Sequence, residues 1–76
     1  MNANEFVKNF SLQLEEINVK TLSLETKFRD IEGWSSFSAL AIIAMVDEEY
    51  KVKLTGDDIR NSQTIQDLFY IVKSKL

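Results

Sequence analysis

Seventy-six residues with a formal charge of −3 and no cysteine, histidine or proline leave room for one small domain, residues 1–76, with a modest core. The missing residue types exclude disulfides, thiolate nucleophiles, cysteine-based metal sites and a Ser-His-Asp triad, and no EF-hand spacing is present. The acidic balance argues against nucleic acid as a partner, because such binding needs a basic stripe to displace counterions from phosphates.

A first helix is predicted from about Asn4 to Glu16, where Phe6, Phe10, Leu14 and Ile17 recur at three- and four-residue steps with Val7 alongside. A long connection, Asn18 to Trp34, follows. Its Leu22, Leu24, Phe28, Ile31 and Trp34 are expected to pin it to the core, with one helical turn near Arg29 to Ile31. The alternation at Leu22, Leu24 and Thr26 resembles a strand for which no partner strand is evident. Loops of this length are uncommon in small domains and often functional.

The second helix is expected to open at Ser35 or Ser36 and run to about Tyr50. Leu40, Ile43, Val46 and Tyr50 form its heavier apolar face, read as the core side. Phe37, Ala41, Ala44, Met45 and Glu48 lie opposite, a face apolar enough to meet a partner. A short third helix, about Gly56 to Asn61, is signalled by Thr55 with Asp58 three residues on. Thr64 with Asp67 opens the last helix in the same way, and Ile65, Leu68, Phe69, Val72 and Leu76 keep its stripe. The fold class is therefore all-α: a small four-helix bundle with a long first loop and a short third helix. The longest apolar run, Ala39–Val46, is far short of the roughly 20 residues that cross a bilayer. No basic-then-apolar leader opens the chain, so a cytoplasmic monomer is expected.

The stretch Asp30-Ile-Glu-Gly-Trp-Ser-Ser-Phe-Ser-Ala-Leu40 ends the long loop at a glycine and an aromatic residue, then opens an apolar helix on a serine pair. One serine is needed as the N-cap. A serine at that place also lies beside unpaired backbone N–H groups and the positive helix end, which stabilise a phosphodiester on its hydroxyl. Without a base in the chain it is a substrate for another enzyme, not an activated nucleophile. The residues alone leave capping and modification both open.

This stretch, in its frame of helices, resembles the acyl carrier proteins, whose attachment motif is Asp-Ser-Leu at the start of the second helix. Ser35-Ser36-Phe37 stands in its place after Glu32-Gly33-Trp34. The Leu40–Tyr50 helix, the Val52-Lys53-Leu54 turn, the Asp57-Asp58-Ile59 helix and the Thr64-Ile65 helix follow in family order. The resemblance implies a carrier and not an enzyme, with 4′-phosphopantetheine added to Ser36 from coenzyme A by a phosphopantetheinyl transferase. An acyl group would ride on that arm as a thioester, as in fatty-acid or polyketide assembly, and be presented to synthase, ligase or transferase enzymes with basic docking patches. Phe37, Ala41, Met45, Asp47, Glu48, Asp57 and Asp58 are the expected partner face. Leu40, Ile43, Val46, Ile59 and Ile65 are candidates to line an acyl cavity or simply to pack the core.

Departures from the family pattern point to a specialised pathway. The motif Asp is Ser35, the following Leu is Phe37, and Ser38 and Ala41 replace acids common on the first turns. Two further readings stay open: a carrier of an aminoacyl group, and an unmodified carrier-like module that only binds a partner. A helix-turn-helix DNA reader is disfavoured, since the second helix has no Arg or Lys before Lys51.

Overall fold

The computed structural model describes residues 1–14 and 22–76. Four α-helices run through the described residues in the order α1 (Ala3–Leu12), α2 (Ser36–Tyr50), α3 (Gly56–Arg60) and α4 (Ile65–Lys75), with a single 3-10 turn at Phe28–Asp30 before α2. No strand occurs among them, and the class is all-α.

Asn2 starts α1, its side-chain oxygen accepting the N–H groups of Asn4 at 2.8 Å and Glu5 at 3.2 Å. Phe6 and Phe10, one turn apart, point into the core and are fully buried. The helix stops at Leu12, short of the expected Glu16. The N–H groups of Gln13 and Leu14 bond back three residues, to Phe10 and Ser11, and this tighter turn still buries Leu14. Ile17 and the first residues of the long connection lie outside the described residues.

The described part of the connection is held by both side chains and backbone. Phe28 is fully buried, with Leu22, Leu24, Ile31 and Trp34 packed against the core. The carbonyls of Thr26 and Leu24 accept the N–H groups of Ile65 and Gln66 at 3.1 and 2.9 Å, so this loop satisfies the otherwise unpaired start of α4. No strand forms there, and the strand-like pairing is limited to one antiparallel bridge between Lys27 and Thr64.

The rotation of α2 differs from expectation. Its buried residues are Ser38, Ile42, Met45 and Val46, so Met45 faces the core and not a partner. Leu40, expected inside, is 60% exposed, and Phe37 is 80% exposed. A helix apolar nearly all round carries no face preference of its own. The surrounding side chains choose the face. Here Phe6 packs on Tyr50 and Phe69, while Phe10 and Phe28 pack on Trp34, and Ile42 and Val46 belong to the same buried core. Lys51 ends α2 in the left-handed region, at φ 58° and ψ 35°.

Capping boxes open α3 and α4 as the Thr-x-x-Asp spacing predicts. Thr55 pairs with Asp58 and Thr64 with Asp67, each hydroxyl accepting an N–H at 3.1 Å. The α3 helix closes at Arg60, with Asn61 as its cap. Ile65, Leu68, Phe69 and Val72 of α4 are buried, but Leu76, read as part of the same stripe, is 64% exposed.

Candidate functional site

The junction between loop and α2 is built on Gly33 and Trp34. The Trp34 N–H donates to the Ile31 carbonyl at 3.0 Å, closing a turn whose third residue is Gly33 at φ 90°. That position of a type II turn requires a positive φ, which glycine adopts without a Cβ clash. The turn delivers the Trp34 indole onto Phe10, with ring centroids 6.3 Å apart and planes within 10°, and against Phe28 at 5.1 Å. The residue preceding the serine pair is therefore fixed to the core.

Ser35 follows in extended conformation, φ −145° and ψ 178°, and caps α2. Its N–H donates to Ser38 Oγ at 3.2 Å, the return arm of a capping box. The forward arm, from the Ser38 N–H to the Ser35 hydroxyl, closes more loosely. Ser38 is nearly buried by this role. Ser38 is not among the expected capping residues, and its Ser-x-x-Ser spacing from Ser35 is the signal that carries the role.

Ser36 is left as the first residue of the helix, with its side chain exposed. Among the described residues no carboxylate or amine hydrogen-bonds to its hydroxyl, so nothing there would activate it as a nucleophile. The first turn of α2 holds no acid, whereas Glu5, Asp57 with Asp58, and Asp67 occupy the first turns of α1, α3 and α4. The positive end of α2 is thus not neutralised by its own helix and suits a phosphodiester on that hydroxyl.

The expected partner face is only partly assembled. Phe37 and Glu48 are exposed, Ala41 is half-buried, and Met45 is withdrawn into the core. Three of the four acids are engaged within the chain. Asp47 pairs with Lys53 at 2.9 Å, Asp57 pairs with Arg60, and Asp58 pairs with Lys75 at 2.7 Å while also accepting the Thr55 N–H at 3.0 Å. The Lys75 ammonium also reaches the Lys53 carbonyl at 3.1 Å. It thereby ties the end of α4 to the α2–α3 connection and to α3, a link between residues too distant in sequence to be foreseen.

Lys75 and the Thr55 N–H hold the Asp58 carboxyl below the usual aspartate range. The N–H groups of Gln63 and Thr64 do the same for Asp67. Burial raises the Tyr50 phenol, partly offset by the bond it accepts from Asn9 Nδ2 at 3.0 Å.

Of the candidate cavity residues, Val46, Ile59 and Ile65 are buried in the packed core, Ile43 is partly buried, and Leu40 faces outward. Two clefts elsewhere are lined by Lys27, Arg29, Asp30 and Gln63, and by α1 and loop residues around Val7 and Leu24. No group of acids among the described residues is placed to hold a metal ion, and no helix among them is long and apolar enough to cross a membrane.

Residues 6–69 match the family model described as "Phosphopantetheine attachment site". The chain is also similar to an acyl carrier protein of Onion yellows phytoplasma (strain OY-M), 29% identical over 76% of this chain and 78% of that one. It resembles an acyl carrier protein of Aster yellows witches'-broom phytoplasma (strain AYWB), 25% identical over 92% and 93% of the two chains. No solved structure gives a significant match. The family match runs from within α1 into α4 and includes the serine junction, so the chain belongs to the phosphopantetheine-attachment family of acyl carrier proteins, carriers of covalent 4′-phosphopantetheine and not enzymes.

Proposed function

We propose that Ser36 is the attachment point and that the chain carries an acyl group on the arm, as a thioester of its terminal thiol, to successive enzymes. The observation that supports this most is the exposed Ser36 hydroxyl at the acid-free start of α2, held in register by the Ser35–Ser38 cap and the Trp34 anchor. A phosphopantetheinyl transferase forms the bond from Ser36 Oγ to phosphorus and breaks the pyrophosphate link of coenzyme A. Adenosine 3′,5′-bisphosphate leaves, and the hydroxyl proton passes to the transferase or solvent. Tethering then replaces free diffusion of the cargo by a local effective concentration. The synthase, ligase or transferase enzymes that load and unload the arm are the further partners. The replacement of first-turn acids by Ser38 and Ala41 favours enzymes dedicated to one specialised pathway.

Intact mass after incubation with coenzyme A and a broad-specificity transferase tests the assignment. One phosphopantetheinyl increment is expected on the wild type and on Ser35→Ala, and none on Ser36→Ala. An increment that vanishes in Ser35→Ala and persists in Ser36→Ala would move the site to Ser35. No increment on any form would leave the unmodified interaction module as the better reading.

A further inference from the structure

We infer that the transferase modifying Ser36 holds this chain through an apolar contact with Phe37 and Leu40, and not through the acids of α2 and α3; the inference rests on Ser36 being the attachment point. An enzyme acting on the end of a long arm can stand away from the carrier, but the transferase must reach the Ser36 hydroxyl itself. Whatever closes over that hydroxyl also covers its neighbours within one helical turn. Those neighbours are Phe37, 80% exposed, and Leu40, 60% exposed, spaced three residues apart on the outer side of α2.

The charge distribution argues against the alternative. Residues 27–46 carry only Lys27, Arg29, Asp30 and Glu32 as charged groups, which sum to zero. The first acid of α2 is Asp47, about 16 Å along the helix from Ser36 at 1.5 Å per residue. That is well beyond a screening length of about 8 Å at physiological salt. Glu48 and Glu49 lie further still along α2, and Asp47, Asp57 and Asp58 are paired with Lys53, Arg60 and Lys75. A transferase surface complementary to the first turns of α2 is therefore neutral, with an apolar pocket for the Phe37 ring. Large rigid aromatics centred in a contact supply most of its binding energy.

The rate of arm addition by a broad-specificity transferase, followed by intact mass on the full chain, tests this. The double variant Phe37→Ser/Leu40→Gln is expected to lose about tenfold in kcat/KM, mostly through KM, with its circular dichroism unchanged. Phe37→Leu is expected to recover most of the loss. Tyr70→Ser removes an exposed aromatic on α4 and is expected to behave as wild type. The wild-type rate is expected to change less than about twofold between roughly 50 and 500 mM salt. A double variant as fast as wild type, or a wild-type rate falling steeply with salt, overturns the apolar contact while Ser36 stands as the site. Addition that persists in Ser36→Ala overturns both.

Discussion

The indole of Trp34 lies flat on the ring of Phe10, at 6.3 Å between centroids and 10° between planes, and its other neighbour is Phe28 at 5.1 Å. Trp34 precedes the Ser35 cap directly, so this stack transmits the rigidity of the α1 core to the first turn of α2. The exposed Ser36 hydroxyl is thereby presented from a fixed backbone, although it lies at the end of a long connection.

Trp34→Ala removes the stack and leaves a gap beside two buried phenylalanines. A loss of about 2–3 kcal/mol is expected in urea unfolding, below the figure for a fully buried tryptophan because Trp34 is only partly covered. Amide exchange at residues 35–38 should accelerate beyond the global loss, since the cap loses its anchor.

The rotation of α2 can be read from a pair of truncations. Met45→Ala empties a site only 4% exposed and is expected to cost about 2–4 kcal/mol. Leu40→Ala, on the solvent side, should stay within about 0.5 kcal/mol of wild type. Equal losses in denaturant midpoints would mean that α2 sits in another rotation.

Lys51 holds a left-handed conformation at the end of α2, φ 58°, while its N–H donates to the Asp47 carbonyl at 3.0 Å. A side chain with a Cβ costs about 1–2 kcal/mol there. Lys51→Gly lifts that strain but frees the unfolded chain, so a net gain of about 0.5–1 kcal/mol is expected, visible as a raised melting temperature.

Stability should fall in acid through Asp58 and Asp67. Both carboxyls are depressed in the folded chain, the first mainly by Lys75 and the second by the Gln63 and Thr64 N–H groups. Their contributions are complete above the unfolded aspartate value of about 3.9 and disappear as pH drops through the lower folded values. Melting temperatures between pH 7 and pH 2 should decline below about pH 4. The decline should be shallower in Asp58→Asn and in Asp67→Asn, each starting from a lower plateau at neutral pH.

The features legible in the sequence are those set within about four residues of chain. Thr55 with Asp58 and Thr64 with Asp67 mark helix starts because each box is closed by hydrogen bonds across three residues. Gly33 marks the turn before α2, and the serine pair after Trp34 marks the helix start and the candidate site, again for local reasons. The end of α1 has no such local mark, because Leu14 keeps the helical stripe while the backbone around it has already tightened into a turn.

Tertiary structure decided what no local interaction could. An α2 that is apolar on every side has no intrinsic core face, and the aromatic cluster around Phe6, Phe10 and Phe28 turned Met45 inward and Leu40 outward. Three acids of the expected docking face, Asp47, Asp57 and Asp58, pair with bases, Asp58 with a lysine seventeen residues away. The carbonyls of Leu24 and Thr26 became the cap of a helix some forty residues further on. Ser36 thus owes its place at a helix start to its neighbours in sequence. That Phe37 and Leu40 are the apolar groups exposed beside it comes from which side chains the core left outside.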